Sequence, residues 1–391
     1  MENNDHPAIE LSVVLPCLNE ADTLATCIAK AQSAFEECGC VGEIIVADNG
    51  SDDGSVEIAT DREARVVHVA ERGYGSALMA GIAASRGRFV IMGDADDSYD
   101  FLEIPKFLSE LRAGHDLVQG CRLPAGGGQV LPGAMPFLHR WLGNPLLSRL
   151  ARAMFGLSIS DIYCGMRGFT RSLYDELQQR CTGMEFATEM IIRSTLRGAD
   201  IVEVPITLHP DGRQSHGPHL RTFRDGWRTL RFFLLYSPRW LFLLPGLVLL
   251  GLGVLGYGLA LPGQRLLGAQ LGAHTLLVAS LALLMGFQFL LFAVVSKSVA
   301  ENIGLLPKDP RMQNFFRVAT LERGILLGGL ALMGGLGLIG WTALEWRNQG
   351  FGNLDYASTL RQVIPGVTLA ALGIQAILSS FFVSMLGMSR R

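Results

Sequence analysis

Short apolar runs alternate with helical patterns over the first two hundred residues of the chain. The apolar runs predict strands at about 11–16, 43–48, 65–69, 88–94, 116–121 and 200–207. Helical spacing of apolar positions predicts helices at about 19–37, 51–60, 74–86, 137–155 and 189–197. Val/Ile-rich runs separated by helices are typical of parallel sheets with both faces covered. We therefore predict an α/β fold with a Rossmann-like, mostly parallel sheet.

The second half of the chain has a different pattern, because from about Arg239 onward it is mostly apolar. An α-helix needs ~20 apolar residues to cross ~30 Å of hydrocarbon. Four stretches reach that length, and they predict four transmembrane helices at 239–261, 274–296, 323–345 and 363–387. Glycine is frequent in the first and third stretches, which favours close helix packing.

A basic amphipathic segment, 219–236, precedes the first apolar stretch. Arg221, Arg224, Arg228 and Arg231 recur at helical spacing beside an apolar stripe. Such a helix suits an anionic membrane surface, and an ordinary surface helix is the alternative. The membrane interpretation is favoured because an apolar stretch follows directly. The predicted organisation is a cytosolic domain at 1–217, an interface helix at 218–237 and a membrane domain at 238–391.

Charges in the loops predict the orientation of these helices. The loop between the second and third stretches carries five basic residues, and the chain ends Arg390-Arg391. The other two loops hold only Arg265, Arg347 and Arg361. The excess of basic residues on the cytosolic side of membrane proteins places the central loop, the C-terminus and the N-terminal domain in the cytosol. The short polar start, 1–7, does not resemble a signal peptide.

Composition adds little to this picture. The net charge of -3 averages two different environments. The seven cysteines include no CxxC pair and no zinc-like spacing, so they predict reduced thiols in the cytosol.

Polar clusters follow three of the predicted strands. They are Asn19-Glu20, Asp48-Asn49-Gly50 and the acidic loop Asp94–Asp97. Ligands of open parallel sheets bind at the carboxyl ends of the strands, so these clusters predict one site.

The acidic loop suggests a cation. Asp94 and Asp96 flank Ala95, and two carboxylates this close repel one another unless a cation joins them. Oxygen ligands of this kind suit Mg²⁺ or Mn²⁺, which also bind diphosphate oxygens. The alternative is a solvated acidic turn that caps the helix after it. The other two clusters favour the metal.

Two further turns carry candidate chemistry. Asp48 could accept hydrogen bonds from a nucleobase or a ribose, although the same turn could simply cap a helix through Ser51 or Asp52. The run 72–76 (RGYGS) resembles a phosphate-binding turn but lacks the Lys-Ser/Thr pair of nucleotide hydrolases. Arg122, Arg140 and Arg213 lie outside the helical stripes. Arginine suits bidentate phosphate contacts, and surface charge is the alternative for each.

Three motifs in order, 14–20 (VLPCLNE), 48–55 (DNGSDDGS) and 93–96 (GDAD), resemble family-two inverting glycosyltransferases. The elements at 120–122 and 161–169, with the C-terminal apolar stretches, are similar to the polyprenyl-phosphate group that includes dolichol-phosphate mannose synthase. This resemblance implies a metal-dependent transfer of a single sugar, with inversion, from a UDP- or GDP-hexose to a polyprenyl phosphate. The expected location is the plasma membrane, with the catalytic domain in the cytosol.

The resemblance also implies roles for single residues. Pro16, Asn19, Glu20, Asp48 and Asn49 would bind the nucleotide-sugar, together with Arg213 at the diphosphate. Asp94 and Asp96 would be catalytic and would hold Mg²⁺ or Mn²⁺. Arg122, Arg140 and Asn144 would hold the acceptor phosphate. Ser98 stands where the family often has a glutamine ligand, so it is expected in the metal shell. The loop after Arg213 reads Gln214-Ser215-His216 and lacks the family's lysine.

Two alternatives stay open. A processive polysaccharide synthase would carry a Gln-x-x-Arg-Trp element, which is absent around Trp240. A non-catalytic nucleotide-sugar-binding scaffold is disfavoured by the intact acidic loop. The expected partners are the donor, the polyprenyl phosphate, the lipid bilayer and possible further copies of the chain, and no nucleic acid.

Overall fold

A computed structural model describes residues 8–137, 139–213, 222–266 and 269–388. The chain divides into two compact units, Met1–Phe233 and Leu234–Arg391, and the division falls within the helix Thr222–Tyr236. The basic residues Arg221, Arg390 and Arg391 lie outside the described residues.

A seven-stranded sheet forms the centre of the first unit, with the strand order β3-β2-β1-β4-β7-β5-β8. All neighbouring pairs are parallel except those made by β7. The strands are β1 Leu11–Cys17, β2 Gly42–Asp48, β3 Arg65–His68, β4 Phe89–Met92, β5 Leu117–Cys121, β7 Arg167–Thr170 and β8 Ile201–Pro205. A separate small sheet pairs β6 Gln129–Val130 with β9 Thr207–Leu208. The prediction of a mostly parallel α/β sheet is confirmed.

The antiparallel strand β7 was not predicted. It lies between β4 and β5 and pairs with both. Its sequence, RGFT, has no run of β-branched residues. Its first residue, Arg167, is fully buried and donates to the Cys164 carbonyl at 2.6 Å. A Cβ at Gly168 would stand 3.0 Å from Leu111 and 3.2 Å from Ile91, so glycine lets these two side chains pack closely against the strand.

Seven helices in this unit follow or precede the strands: α1 Leu24–Cys38, α2 Ser55–Asp61, α3 Tyr74–Ala84, α4 Ile104–Ala113, α5 Asn144–Phe155, α6 Arg171–Leu177 and α7 Glu185–Arg197. Two of them begin later than predicted. Asn19 has φ +60°, so the chain forms a loop there and α1 starts only at Leu24. Gly54, with φ +89°, is the N-cap of α2, so Ser51 and Asp52, considered above as alternative caps, do not cap this helix.

The helix α8, Thr222–Tyr236, contains most of the basic amphipathic segment. The second unit then begins within it. Its long helices are α9 Leu244–Ala260, extended by a π-helical turn Arg239–Leu243, then α10 Ala273–Asn302, α12 Leu321–Asn348 and α13 Tyr356–Met388, with a short α11 Pro310–Val318. The four long segments have mean hydropathies of 1.8 to 2.4, which confirms the predicted set of four apolar helices.

Glycines bring α12 and α13 close together. A Cβ at Gly335 would stand 2.5 Å from the Gly366 carbonyl, and one at Gly328 would stand 2.8 Å from the Gly373 carbonyl. Close approach at small residues is what packs helices in lipid. Hydroxyls join α13 to α9 and α10, since Tyr257 of α9 lies 2.7 Å from Ser280 of α10 and 3.0 Å from Thr368 of α13.

Candidate active site

A cavity of ≈ 360 Å³ opens at the carboxyl ends of β1, β2 and β4. Its size lies within the range of small-molecule sites, about 300–1,000 Å³. Six residues singled out in the sequence line it: Pro16, Glu20, Asn49, Asp94, Asp96 and Arg213. The remaining lining comes from the end of β1, the turn before α3, Met184, Asp211 and Arg228. The ends of β1, β2 and β4, the turn before α3 and three later segments of the chain therefore meet at one place.

Asn19 and Asp48 hold the rim of this cavity without lining it. The Asn19 side chain accepts from the Asp52 amide at 2.9 Å, and the Asn19 amide donates to Ser51 Oγ at 3.0 Å. Asp48 accepts from the amides of Gly50 and Ser51 at 3.3 and 3.0 Å. The two Asn19 bonds tie the loop after β1 to the loop after β2, and the Asp48 bonds shape the second loop.

Asp94 lines the cavity beside Tyr74. The Tyr74 hydroxyl donates to Asp94 Oδ1 at 2.9 Å. Burial and the neighbouring Asp96 carboxylate raise the pKa of Asp94 to about 6. Burial and Asp94 also raise the pKa of Tyr74 well above its ordinary value, so Tyr74 stays a hydrogen-bond donor.

Asp96 is held from two sides. Its Oδ1 accepts from the Ser98 amide at 3.0 Å and from the Ser98 hydroxyl at 2.6 Å. Its Oδ2 pairs with Arg213 Nη2 at 3.0 Å. Ser98 therefore orients Asp96, and its direct contact with a metal stays a prediction.

Arg213 joins the acidic residues around the cavity. Its guanidinium contacts Glu20 at 2.7 Å, Asp96 at 3.0 Å and Asp211 at 3.3 Å, and the side chain is only 10 % exposed. Two backbone hydrogen bonds fix the segment before Arg213: the His209 amide donates to the Ser98 carbonyl, and the Gly212 amide donates to the Asp96 carbonyl. The residues after it, 214–221, lie outside the described part of the chain.

The acidic loop fits a divalent cation that shares its ligands with a substrate. Mg²⁺ typically takes one or two carboxylates from a protein and completes its shell with substrate phosphates and water. Asp94 and Asp96 supply such a pair, and burial together with the Asp96 carboxylate raises the pKa of Asp94 although Arg213 and Arg122 act in the opposite direction. Asp97 points elsewhere, since it pairs with Lys30 at 2.8 Å. Within the described ranges, no cluster of three or more metal-binding side chains exists that would hold a metal alone.

The three residues expected at the acceptor phosphate do not line the cavity. Arg122 is buried and forms a bidentate pair with Asp161, through Nε at 2.8 Å and Nη2 at 2.9 Å. Arg140 lies over the Trp141 ring, 5.5 Å from its centroid. Asn144 begins α5 and donates to the Met135 sulfur at 3.4 Å. Their assignment stays a prediction.

The wall beside Asp94 depends on contacts that the sequence did not reveal. A Cβ at Gly73 would stand 2.3 Å from the Thr182 carbonyl, and one at Gly75 would stand 2.2 Å from the Cys181 carbonyl. The turn before α3 therefore needs glycine for close packing. Buried Glu189 holds the opposing loop by accepting from the amides of Arg180 and Cys181 at 3.0 and 2.9 Å. A glutamate at a helical position gave no sign of this partner.

The pKa of Asp94 predicts how stability depends on pH. Its folded-state pKa of about 6 exceeds the ordinary 3.8, so protonation favours the folded protein. That stabilisation is complete below about pH 4 and is lost as the pH rises through about 6. In EDTA, thermal stability should therefore fall between about pH 4 and pH 6. Asp94→Asn should remove this component of the pH profile, and an identical profile in the variant would contradict the assignment.

The chain is similar to known proteins in both of its halves. Residues 12–178 match Glycosyl transferase family 2, and residues 294–387 match the glycosyltransferase family 2 C-terminal transmembrane region. The low-salt glycan biosynthesis hexosyltransferase Agl6 of Haloferax volcanii is 39% identical over 96% of this chain and 89% of its own length. A dolichyl-phosphate hexose transferase of the same organism is 34% identical over 50% of this chain and 82% of its own.

Among solved structures, glucosyl-3-phosphoglycerate synthase from Mycobacterium tuberculosis, in complex with Mg²⁺ and uridine-diphosphate, is similar at a TM-score of 0.46. It is 24% identical, and the match covers 57% of this chain and 79% of that protein.

Proposed function

The chain belongs to glycosyltransferase family 2, and from that premise we propose that it transfers a single hexose from a nucleotide-sugar to a polyprenyl phosphate. Membership rests on the 39% identity to a hexosyltransferase along nearly the whole chain. The observation that carries the proposal is the cavity in which Asp94, Asp96 and Arg213 meet, in a chain that also has four apolar membrane helices. The relative named a dolichyl-phosphate hexose transferase supports a lipid-phosphate acceptor.

The reaction needs positioning and charge stabilisation. A phosphate oxygen of the acceptor forms a bond to the anomeric carbon of the sugar. The bond from that carbon to the diphosphate breaks, and its electron pair leaves with the nucleoside diphosphate. One in-line displacement inverts the anomeric configuration. The acceptor phosphate is already an anion near neutral pH, so the protein need not supply a strong base, and most of the catalysis comes from preorganised charge.

On this proposal the residues of the cavity divide between two tasks. Asp94 and Asp96 would hold Mg²⁺ or Mn²⁺, which when bound neutralises charge on the departing diphosphate. Pro16 and Asn49 would line the nucleotide pocket, with Asn19 and Asp48 holding its rim. Arg213 would turn from Glu20 and Asp96 to the diphosphate, and Tyr74 would fix the orientation of Asp94.

We also propose that the catalytic unit faces the cytosol. The support is the excess of basic residues in the loop that contains Lys308, Arg311 and Arg317. The test is labelling by a membrane-impermeant thiol reagent in intact cells. Starting from a variant without reactive thiols, a cysteine at position 308 should stay unlabelled and one at 349 should react.

The decisive experiment for the activity is a screen of nucleotide-sugars with the purified full chain, undecaprenyl phosphate and either Mg²⁺ or Mn²⁺. The expected product is a lipid carrying one sugar. A polymer would indicate a processive synthase. Donor binding without any turnover, in the presence of the lipid phosphate, would indicate a scaffold.

A further inference from the structure

The arginines in and near the cavity differ in how many carboxylates they already contact. Arg213 contacts three carboxylates, those of Glu20, Asp96 and Asp211. Arg122 is held in a bidentate pair by Asp161, and neither side chain is more than 8% exposed. A guanidinium that is already paired with carboxylates attracts a second anion less strongly, because its charge is largely neutralised.

Two other arginines line the same cavity, Arg72 and Arg228. Both are exposed, and neither has an ion pair or side-chain hydrogen bond with any residue in the described ranges. Their guanidiniums are therefore available to an anionic ligand. A cavity with an acidic pair inside and uncompensated arginines on its wall suits a ligand that brings phosphate.

The two arginines belong to different sides of the cavity. Arg72 precedes Gly73, whose amide donates to Asn49 Oδ1 at 2.7 Å, so Arg72 belongs to the side formed by the end of β2. That is the side proposed for the nucleotide. Arg228 comes from α8 instead, and no other described residue of α8 lines the cavity.

Two exposed apolar side chains accompany Arg228, one at the same cavity and one at the adjacent position of α8. Met184, which also lines the cavity, is 46% exposed, and the adjacent Trp227 is 62% exposed. Exposed apolar side chains beside a cation suit a ligand whose charged head continues into a hydrocarbon chain. A nucleoside diphosphate has no such part, whereas a prenyl phosphate has one.

We propose that Arg228 is a binding residue for the phosphate of the lipid acceptor, and that α8 thereby supplies part of the acceptor site. This inference rests on the proposed function and deepens it. It adds to the catalytic unit a cation that the resemblance to the family did not indicate, and it separates acceptor recognition at Arg228 from donor recognition at Arg213 and Arg72.

The chain offers a matched control in Arg231. It lies about one turn further along α8, is also exposed, and is not among the described residues that line the cavity. The full-length protein is reconstituted in phosphatidylcholine vesicles, and KM is measured for undecaprenyl phosphate and for the donor. Arg228→Gln should raise the acceptor KM by about tenfold or more and change the donor KM by less than about twofold. Arg231→Gln should change both by less than about twofold.

Three results would overturn the proposal. Equal effects of the two variants would show that the helix charge acts only through the bilayer surface. A rise confined to the donor KM would place Arg228 at the diphosphate. Unchanged kinetics of Arg228→Gln would show no role in binding.

A second readout does not depend on turnover. Binding of farnesyl phosphate to the full chain in detergent should weaken by about tenfold in Arg228→Gln and stay unchanged in Arg231→Gln. If the wild-type protein binds farnesyl phosphate in this way but transfers no sugar to undecaprenyl phosphate, the proposed reaction fails while the site at Arg228 stands. If the wild-type protein does not bind it, the site itself is refuted.

Discussion

Replacing Asp96 with asparagine is expected to lower the rate of sugar transfer by at least about 100-fold, the scale on which preorganised charge acts at a reacting centre. The amide keeps the shape of the side chain and can still accept from Ser98, which donates to Oδ1 at 2.6 Å. It loses the charge that pairs with Arg213 and that would bind a divalent cation. Turnover at saturating donor and acceptor is the measurement, over a range of Mn²⁺ concentrations.

Asp97 provides the control for this experiment. It lies in the same loop, but its carboxylate pairs with Lys30 at 2.8 Å and both side chains are 26% exposed. A partly exposed pair of this kind contributes ~0–1 kcal/mol, so Asp97→Asn should change turnover by less than about fivefold. Full activity of Asp96→Asn at saturating donor would refute the metal assignment, and equal losses in both variants would point to general disruption of the loop.

Asp161→Asn is expected to reduce the free energy of unfolding of the catalytic unit by about 3–5 kcal/mol. The Asp161 carboxylate accepts from the Arg122 amide, from two guanidinium nitrogens of Arg122 and from the Tyr163 amide. Asp161 is fully buried, so the variant leaves a buried guanidinium without a counter-charge. Chemical denaturation of the full chain in detergent, followed by hydrogen exchange in β5, measures the change.

Asp175→Asn is the matched comparison. Asp175 pairs with Arg171 one helical turn away, at 3.1 Å, and is 60% exposed. Its loss should cost less than about 1 kcal/mol. A similarly small loss for Asp161→Asn would show that Arg122 is compensated elsewhere and would strengthen its prediction as a phosphate ligand.

The features that the sequence predicted are those encoded locally. Four apolar helices follow from hydropathy alone. The predicted end of α10 at 296 was too early, because hydropathy does not detect the polar last turns of this helix, which continues to Asn302. The meeting of Glu20, Asn49 and Asp94 followed from a general rule about parallel sheets, since each comes just after a strand.

The features that escaped prediction depend on partners far apart in the chain. Asp161 and Arg122 are 39 residues apart, and no periodicity links them. Tyr74 reaches Asp94 across 20 residues. The strand β7 has a buried arginine where a hydrophobic pattern would be expected, so only its two neighbours define it. Resemblance to a family supplied candidate roles for Arg122 and Arg213, but not the carboxylates that already hold them.

Because β7 lies between β4 and β5, the sheet cannot be completed early during synthesis of the chain. Strands β1 to β4 are complete once Met92 has been synthesised, but the free edge of β4 is covered only by a strand that begins at Arg167. At about 5–20 residues per second the ribosome needs several seconds to add those roughly 75 residues. During that interval a half-sheet with an open, apolar edge leaves the ribosome, and unpaired edges of this kind attract other strands. Nascent chains of this protein should therefore depend on chaperones until β7 is inserted.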